Sequence, residues 1–344
     1  MIDAGDQRMR FDFLVASERS GSNLITKVLN AHPEICAPFP SHAFRFFGLN
    51  RFRYGDLTLD ENWNALVDDI LYFFENLFCI WMTRPTREDL ADINPRSLPA
   101  ALRTVYEKEA RALGKRRLFV KENHTYRIAP MFLAHFPESR FVYLVRDPRD
   151  MAATWKELMW RPPRLGVQTA ARIWLEDQRE SQRLVAALRD IGRAHSVRFD
   201  DLVLSPRQEV ESLCRFLKVP YDEAMLRFCE DGLVTRNAAL LAGWRDLAGP
   251  IDPRQVGKYK AMLTETEHRF VEAICAPLMK ELGYTPTYAD PGDAEALEAA
   301  LPDEATTPKD FDLTEEAEKY KRYLDAIRRI EQRTPPRGTK ENRR

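Results

Sequence analysis

The sequence has almost no net charge, because 52 lysine and arginine residues are balanced by 53 aspartate and glutamate residues, for a formal charge of −1. A protein that binds nucleic acid through bulk positive charge would carry an excess of basic residues, so we expect no nucleic-acid partner. The composition, with 44% hydrophobic and 31% charged residues among 344, is that of a folded globular protein with a sizeable core.

Paired cysteines are absent as well. The five cysteines are widely spaced and form no C-x-x-C pair; they are Cys36, Cys79, Cys214, Cys229 and Cys275. This pattern favours reduced thiols over a disulfide framework or a zinc site. We therefore expect no bound metal and a cytoplasmic location.

The sequence contains no long apolar run without charges. Its N-terminus is polar and lacks the apolar segment of a signal peptide. The most apolar stretch, residues 62–82, includes Asp68, Asp69 and Glu75, and its apolar residues recur at helical spacing. This pattern predicts an amphipathic helix that faces a core, whereas a transmembrane helix would be apolar on every side.

Short apolar segments alternate with longer amphipathic ones along most of the chain. We predict strands at 11–16, 117–121, 140–145 and 195–199, and helices at 22–31, 97–113, 128–135, 148–157, 167–190, 206–217 and 264–282. Continuous apolar strands that alternate with helices are typical of an α/β protein whose central parallel sheet is flanked by helices.

The composition changes near residue 290, which divides the chain into a domain at 1–289 and a charged C-terminal extension at 290–344. The extension begins with an acidic stretch, continues with one amphipathic helix at about 313–331, and ends in a basic segment that we expect to be disordered. The apolar side of this helix docks on its own domain, frays in solvent, or makes a contact in a homodimer.

The first candidate site follows the first predicted strand. Arg19-Ser20-Gly21-Ser22-Asn23 lies where the chain turns into a helix, and the free N–H groups of a helix N-terminus bind anions. Gly21 lets the backbone approach a ligand, the serine and asparagine side chains can donate to phosphate oxygens, and Arg19 adds a positive charge. The Walker motif is missing, since no lysine follows Gly21, which weighs against magnesium-nucleotide chemistry. Taken alone, the pattern also fits a tight turn with a helix cap.

The second candidate site follows the predicted strand at 140–145. Arg146 lies at the carboxyl end of that strand, and Thr154 lies two turns along the next helix. Because ligands bind at the carboxyl edge of a parallel sheet, this arginine and hydroxyl can hold a second phosphate. The alternative is a surface ion pair beside an ordinary helix start.

Together the two sites resemble the sulfotransferases that use 3′-phosphoadenosine 5′-phosphosulfate (PAPS). That family binds the 5′-phosphosulfate with a loop of the type [KR]-[ST]-G-[ST] and the 3′-phosphate with R-x-P-R-D-x-x-x-S. Here the first motif reads Arg19 to Ser22, and the second reads Arg146 to Thr154. Further matches in family order extend the resemblance over about residues 10–285. It implies a P-loop-NTPase-like sulfotransferase fold, PAPS as cosubstrate, and a place nearer the bacterial, arginine-type branch than the cytosolic animal enzymes.

The resemblance also implies which residues bind PAPS. The implied set is Arg19, Ser20, Gly21, Ser22, Asn23, Arg146, Thr154, Phe199, Gly257 and Lys258. Thr154 stands where the family usually has serine and keeps the hydroxyl. Phe199 replaces a frequent tyrosine, so it can pack against the adenine base but cannot donate a hydrogen bond.

Sulfuryl transfer needs a cation near the leaving oxygen and a general base for the acceptor. The resemblance gives the first role to Arg19, assisted by Lys121. For the base, two histidines compete. His42 lies in the loop, after the second strand position, where Golgi and bacterial relatives carry a glutamate or histidine base, and no acid occurs between residues 34 and 56. His124 lies one residue after the position that cytosolic animal enzymes use.

The acceptor is predicted to be a hydroxyl or amine of a small-molecule or lipid-like compound. The aromatic and basic segment 43–54 beside His42 is either a wall of the acceptor pocket or a lid packed on the core. Loops at 160–165 and 231–250 are expected to shape the same opening. Two other functions stay open: an ATP-dependent P-loop kinase, and a non-catalytic nucleotide-binding protein.

Overall fold

The computed structural model describes residues 8–157, 166–302, 304 and 315–335. Five parallel strands form one sheet in the order β2-β3-β1-β4-β5. The strands are β1 (Arg10–Ala16), β2 (Ile35–Cys36), β3 (Arg117–Lys121), β4 (Phe141–Val145) and β5 (Ala194–Arg198). This confirms the predicted central parallel sheet and all four predicted strands to within one residue. The strand β2 was not predicted because two residues carry no readable pattern.

Helices connect the strands, and further helices follow the last strand in the chain. They are α1 (Ser22–Asn30), α2 (Ala43–Leu49), α3 (Asp60–Glu75), α4 (Leu98–Ala112), α5 (Thr125–His135), α6 (Pro148–Glu157), α7 (Val167–Arg189), α8 (Phe199–Leu204), α9 (Pro206–Leu217), α10 (Gly232–Ala238), α11 (Tyr259–Met262), α12 (Glu265–Glu281), α13 (Ala294–Ala299) and α14 (Glu315–Glu331). Short 3₁₀ helices occur at Arg51–Tyr54, Glu88–Leu90, Glu223–Glu230, Ala242–Ala248 and Pro253–Gln255.

The central strand β1 brings the predicted site residues to one edge of the sheet. It pairs with β3 on one side and β4 on the other, with Leu14 opposite Lys121 and Ala16 opposite Leu144. Residues 11–16 are buried throughout, as expected for a strand covered on both faces. The loops that follow β1, β3 and β4 therefore meet at the carboxyl edge.

The helix predicted within residues 62–82 is shorter than expected. Helix α3 ends at Glu75, where the side-chain amide of Asn76 donates to the carbonyl of Tyr72 at 2.8 Å. This local bond competes with helix continuation. The apolar residues that follow are still buried, because the loop packs inward and the Trp81 indole donates to the carbonyl of Phe39 at 2.8 Å. Within the described residues, no helix is long and apolar enough to cross a membrane.

Helix α14 packs on its own chain, against α2 and α3. Its residues Tyr323, Ala326, Ile327 and Ile330 are buried. A homodimer through this helix is therefore not supported, since the apolar face that would make the contact is already covered within the chain. Most of the basic C-terminal segment lies outside the described residues.

Candidate functional site

A cavity of about 650 Å³ lies at the carboxyl edge of the sheet. One group of lining residues consists of predicted PAPS-binding and catalytic residues: Arg19, Gly21, Ser22, Asn23, His42, Lys121, Arg146, Thr154, Phe199 and Lys258. A second group is mainly apolar: Pro40, Phe46, Phe78, Leu241, Trp244, Leu247, Tyr320, Tyr323, Leu324 and Ile327. Ser20, His124 and Gly257 are predicted site residues that do not line this cavity.

The loop after β1 is a tight turn that ends at the start of α1. The backbone amide and the hydroxyl of Ser20 both donate to the carbonyl of Ser17, at 3.4 and 2.6 Å, so this hydroxyl is used within the turn. Gly21 has φ 86°, and a Cβ there would lie 2.2 Å from two ring carbons of Phe199. Only glycine fits this position, because a side chain would be strained and would collide with the ring. Helix α1 then directs the free N–H groups of its first turn toward the loop.

Arg19 and Lys121, the two predicted catalytic cations, both line the cavity. Lys121 ends β3, and its ammonium donates to Oδ1 of Asn23 at 2.6 Å, which ties it to the first turn of α1. Arg19 lies against Gly243 of the 3₁₀ helix at 242–248, where a Cβ would be 2.5 Å from Nη1 of Arg19. Gly243 was not singled out from the sequence, because nothing local connects it with a residue so far away in the chain.

Arg146 is a buried cation held by neutral oxygens. Its guanidinium donates to the carbonyl of Arg19 at 3.1 Å, to the hydroxyl of Thr154 at 3.4 Å and to the carbonyl of Gln255 at 2.8 Å. The guanidinium also lies over the ring of Phe199, 4.3 Å from its centroid. Burial lowers the pKa of Arg146 despite the nearby Asp150. Among the described residues no carboxylate forms an ion pair with it, and its Nε has no hydrogen-bond partner, so the position suits an anionic ligand.

Asp150 holds the segment that contains two further predicted residues. Its carboxylate accepts hydrogen bonds from the backbone amides of Gly257 at 2.8 Å and Tyr259 at 3.0 Å. This fixes the loop so that Lys258 lines the cavity, with its ammonium 3.2 Å from Glu157. Burial lowers the pKa of Lys258, and the charge of Arg146 lowers it further. The sequence identifies Asp150 only as a member of the second motif. It does not show that Asp150 binds the distant loop that contains Gly257 and Tyr259.

His42 lies in the cavity wall beside a buried carboxyl group. It precedes α2 with φ 60°, and its Nδ1 is 3.6 Å from Oε2 of Glu122. The other oxygen of Glu122 accepts a hydrogen bond from the amide of Phe44 at 3.2 Å. Burial raises the pKa of Glu122 to about 8, although the charge of Arg45 acts in the opposite direction. Sequence reasoning missed this pair, since the two residues are 80 positions apart.

His124 points to a different environment. Its Nδ1 lies 3.2 Å from Oδ1 of Asp177 and 3.3 Å from the hydroxyl of Tyr126, which itself donates to Asp177 at 3.0 Å. Asp177 is buried. This local network accounts for the position of His124 without a ligand.

The aromatic segment at 43–54 divides between the core and the cavity. Arg45 and Phe46 line the cavity, whereas Phe44 and Phe47 are buried in the core and Phe52 is 63% exposed. The segment is thus only in part a pocket wall. The loop at 231–250 contributes to the lining Leu241, Gly243, Trp244, Arg245, Asp246, Leu247 and Pro250. The loop at 160–165 lies outside the described residues.

Metal ligands are not clustered in the described part of the chain. No group of three or more histidine, cysteine, aspartate or glutamate side chains there could hold a metal ion.

The chain is similar to known sulfotransferases. The family model described as "Sulfotransferase family" matches residues 13–223. Protein-tyrosine sulfotransferase A of Caenorhabditis elegans is 22% identical over 342 residues, which covers 94% of this chain and 79% of that protein.

Solved structures show the same fold. The sulfotransferase domain from the curacin biosynthetic pathway aligns with a TM-score of 0.55 and 20% identity, covering 81% of this chain and 99% of that one. The sulfotransferase domain from the Synechococcus PCC 7002 olefin synthase aligns with a TM-score of 0.51 and 24% identity, covering 76% and 90%. These similarities confirm the fold that the two motifs implied.

Proposed function

This chain belongs to the sulfotransferase family, and we propose that it transfers a sulfuryl group from PAPS to a hydroxyl or amine of an apolar small-molecule or lipid-like acceptor. The observation that carries the proposal is one cavity that joins a cationic, phosphate-suited group of residues to an apolar group, with His42 in its wall. An ATP-dependent kinase is a weaker candidate, because Ser22 stands where the Walker motif has lysine.

The residues present fit PAPS. The loop from Arg19 to Asn23 and the N-terminus of α1 would hold the 5′-phosphosulfate through the free N–H groups of the first helical turn, while the missing side chain of Gly21 lets the ring of Phe199 pack against this loop. The buried guanidinium of Arg146, with Thr154, would hold the 3′-phosphate. Phe199, between Gly21 and Arg146, offers an apolar ring for the adenine. PAPS supplies the sulfuryl group and a leaving phosphate.

His42 is our candidate for the general base. Its Nδ1 lies 3.6 Å from Oε2 of the buried Glu122, and a neutral imidazole in the cavity wall can accept the proton that the acceptor loses. As the acceptor oxygen forms a bond to sulfur, the bond from sulfur to the bridging phosphate oxygen breaks and the acceptor proton moves to His42. Arg19 and Lys121 would balance the negative charge that develops on the departing oxygen.

The test compares two histidine variants. The protein is incubated with PAPS and a panel of alcohols, phenols and amines, and products that gain the mass of SO₃ are identified by mass spectrometry. We expect His42→Ala to lower kcat by about 100-fold or more, whereas His124→Ala keeps most of the turnover and both variants still bind 3′-phosphoadenosine 5′-phosphate (PAP). Near-normal turnover by His42→Ala would reject it as the base. Magnesium-dependent ATP turnover without any sulfated product would favour the kinase.

A further inference from the structure

Helix α14 lies outside the segment that the family model matches, yet it forms part of the cavity. The family model ends at residue 223, whereas Tyr320, Tyr323, Leu324 and Ile327 of α14 all line the cavity. These residues recur at intervals of three and four, so they lie on one side of the helix. The helix therefore contributes a continuous wall to the cavity.

A buried carboxylate fixes this wall to α3. The Asp69 side chain has no exposed surface and accepts hydrogen bonds from Nε of Arg329 at 2.6 Å and from Nε and Nη2 of Arg333 at 2.6 and 2.8 Å. The hydroxyl of Tyr54 donates to the same carboxylate at 2.9 Å. Charge-assisted bonds to a buried partner are strong and directional. They hold the C-terminal end of α14 in one place.

The same helix reaches the residue before His42. The hydroxyl of Tyr323 donates to the carbonyl of Ser41 at 2.8 Å in a buried setting. The hydroxyl of Ser41 accepts from the amide of Ala43 at 3.1 Å and shares a hydrogen bond with Tyr106 at 2.9 Å. His42 between these residues has φ 60°, a left-handed conformation that a non-glycine residue keeps only when its surroundings impose it. Tyr323 supplies one of those constraints.

The wall that α14 forms is aromatic and apolar. The rings of Tyr323 and Phe78 lie 4.5 Å apart between centroids, and Phe78 lies 5.4 Å from Trp244. Leu324 and Ile327 extend the same surface. Such a surface binds a hydrocarbon or aromatic body and gains little from a polar one.

We propose that α14 is the acceptor-selecting wall of the cavity and that Tyr323 is a positioning residue for His42. The proposal rests on the proposed function and names the acceptor class more narrowly, as an alcohol or phenol with a large apolar body. Leu324 and Ile327 select such an acceptor because their side chains contact its apolar part. Tyr323 donates a hydrogen bond to the carbonyl of Ser41 and so fixes the backbone that orients the imidazole of His42.

Three single variants separate these roles, with 2-naphthol and 1-decanol as acceptor probes. Leu324→Glu places a charge on the apolar wall and should raise the KM and the Kd for both probes by about ten-fold or more, with PAP affinity unchanged. Tyr323→Phe keeps the ring and removes one hydrogen bond, so kcat should fall by about five- to ten-fold at constant KM. The pH profile of kcat should also move, because the imidazole is held less firmly against Glu122. Arg328→Ala changes an exposed residue of the same helix that pairs with Asp325 and should match the wild type.

The readouts distinguish this inference from the proposed function. Binding of 2-naphthol is followed by its own fluorescence, without any transfer reaction. If the wild type binds 2-naphthol and sulfates no acceptor, the proposed function fails. The proposal that α14 forms the acceptor-selecting wall is then still tested by the affinity of Leu324→Glu for 2-naphthol. Wild-type affinity and acceptor preference in Leu324→Glu would overturn the wall. An unchanged kcat and pH profile in Tyr323→Phe would overturn the positioning role.

Discussion

Substituting Gly243 with alanine should displace the guanidinium of Arg19 while Arg19 itself is unchanged in sequence. A Cβ at Gly243 would lie 2.5 Å from Nη1 of Arg19, whereas ordinary contacts begin at 3.4 Å. The backbone of Gly243 is not in the left-handed region, so alanine adds bulk there without backbone strain. The guanidinium end of Arg19 is flexible and would retreat by about 1 Å, a displacement that can cost about 100-fold in rate when a catalytic group is misplaced.

The expected effect of Gly243→Ala is therefore on kcat. A loss of about 100-fold corresponds to about 2.7 kcal/mol of transition-state stabilisation, measured by steady-state transfer from PAPS to the best acceptor of the panel. The affinity for PAP, which lacks the sulfuryl group, should change by less than about three-fold, and the melting temperature should hardly move, because only a side-chain end is displaced.

A nearby glycine provides the control. A Cβ at Gly249 would meet no atom within 4 Å, and its φ is −119°, so Gly249→Ala should behave as the wild type. If Gly243→Ala kept wild-type kcat while Arg19→Ala lost activity, the reasoning would be refuted, since Arg19 would then act without the space that Gly243 leaves.

Two further predictions concern the ionisable side chains of Arg146 and Glu122. Arg146→Ala should weaken PAP binding by about 100-fold, because charge-assisted hydrogen bonds to the 3′-phosphate are lost. The affinity for adenosine 5′-phosphosulfate, which has no 3′-phosphate, should stay unchanged. Equal losses of affinity for both ligands in calorimetry would contradict this role of Arg146. The raised pKa of Glu122, about 8, means that the folded protein holds a proton that the unfolded chain releases, so wild-type stability should fall as the pH rises from about 5 to 8. In the wild type, ionisation of Glu122 beside His42 should also raise kcat as the pH rises through about 8. In Glu122→Gln, thermal melts should show no such loss of stability, and kcat should show no such rise.

The sequence allowed the fold to be predicted because its signals are local. Strands β1, β3 and β4 each contain a short, largely apolar run of buried residues, and such runs can be recognised without information from distant parts of the chain. The loop from Arg19 to Asn23 is contiguous, so the motif could be read directly. The short strand β2 and the early end of α3 were missed because β2 has too few residues to show a pattern, and because the apolar periodicity continues past Asn76, whose side chain bonds to the last turn of α3.

The parts of the site that were not predicted depend on long-range packing. Glu122 pairs with His42, Gly243 makes room for Arg19, and α14 closes the cavity, yet in each case the partners are far apart in the chain. The amphipathic pattern of α14 predicted an apolar face but could not indicate which surface it covers. Periodicity shows that one face of a helix is buried. Only the tertiary structure shows which surface that face packs against.

Two arginines of one motif show why near-neutral composition is compatible with an anion-binding cavity. Arg149 donates to Asp147 at 2.6 Å and to Glu272 at 2.7 Å, and although burial acts to lower its pKa, these bonds raise it. Arg146 is also buried and has carbonyl and hydroxyl partners instead, and burial lowers its pKa. Both charges count the same in the net balance of −1. Of these two arginines, only Arg146 forms no ion pair with a carboxylate of the described residues, and a phosphate placed there would supply the missing negative charge.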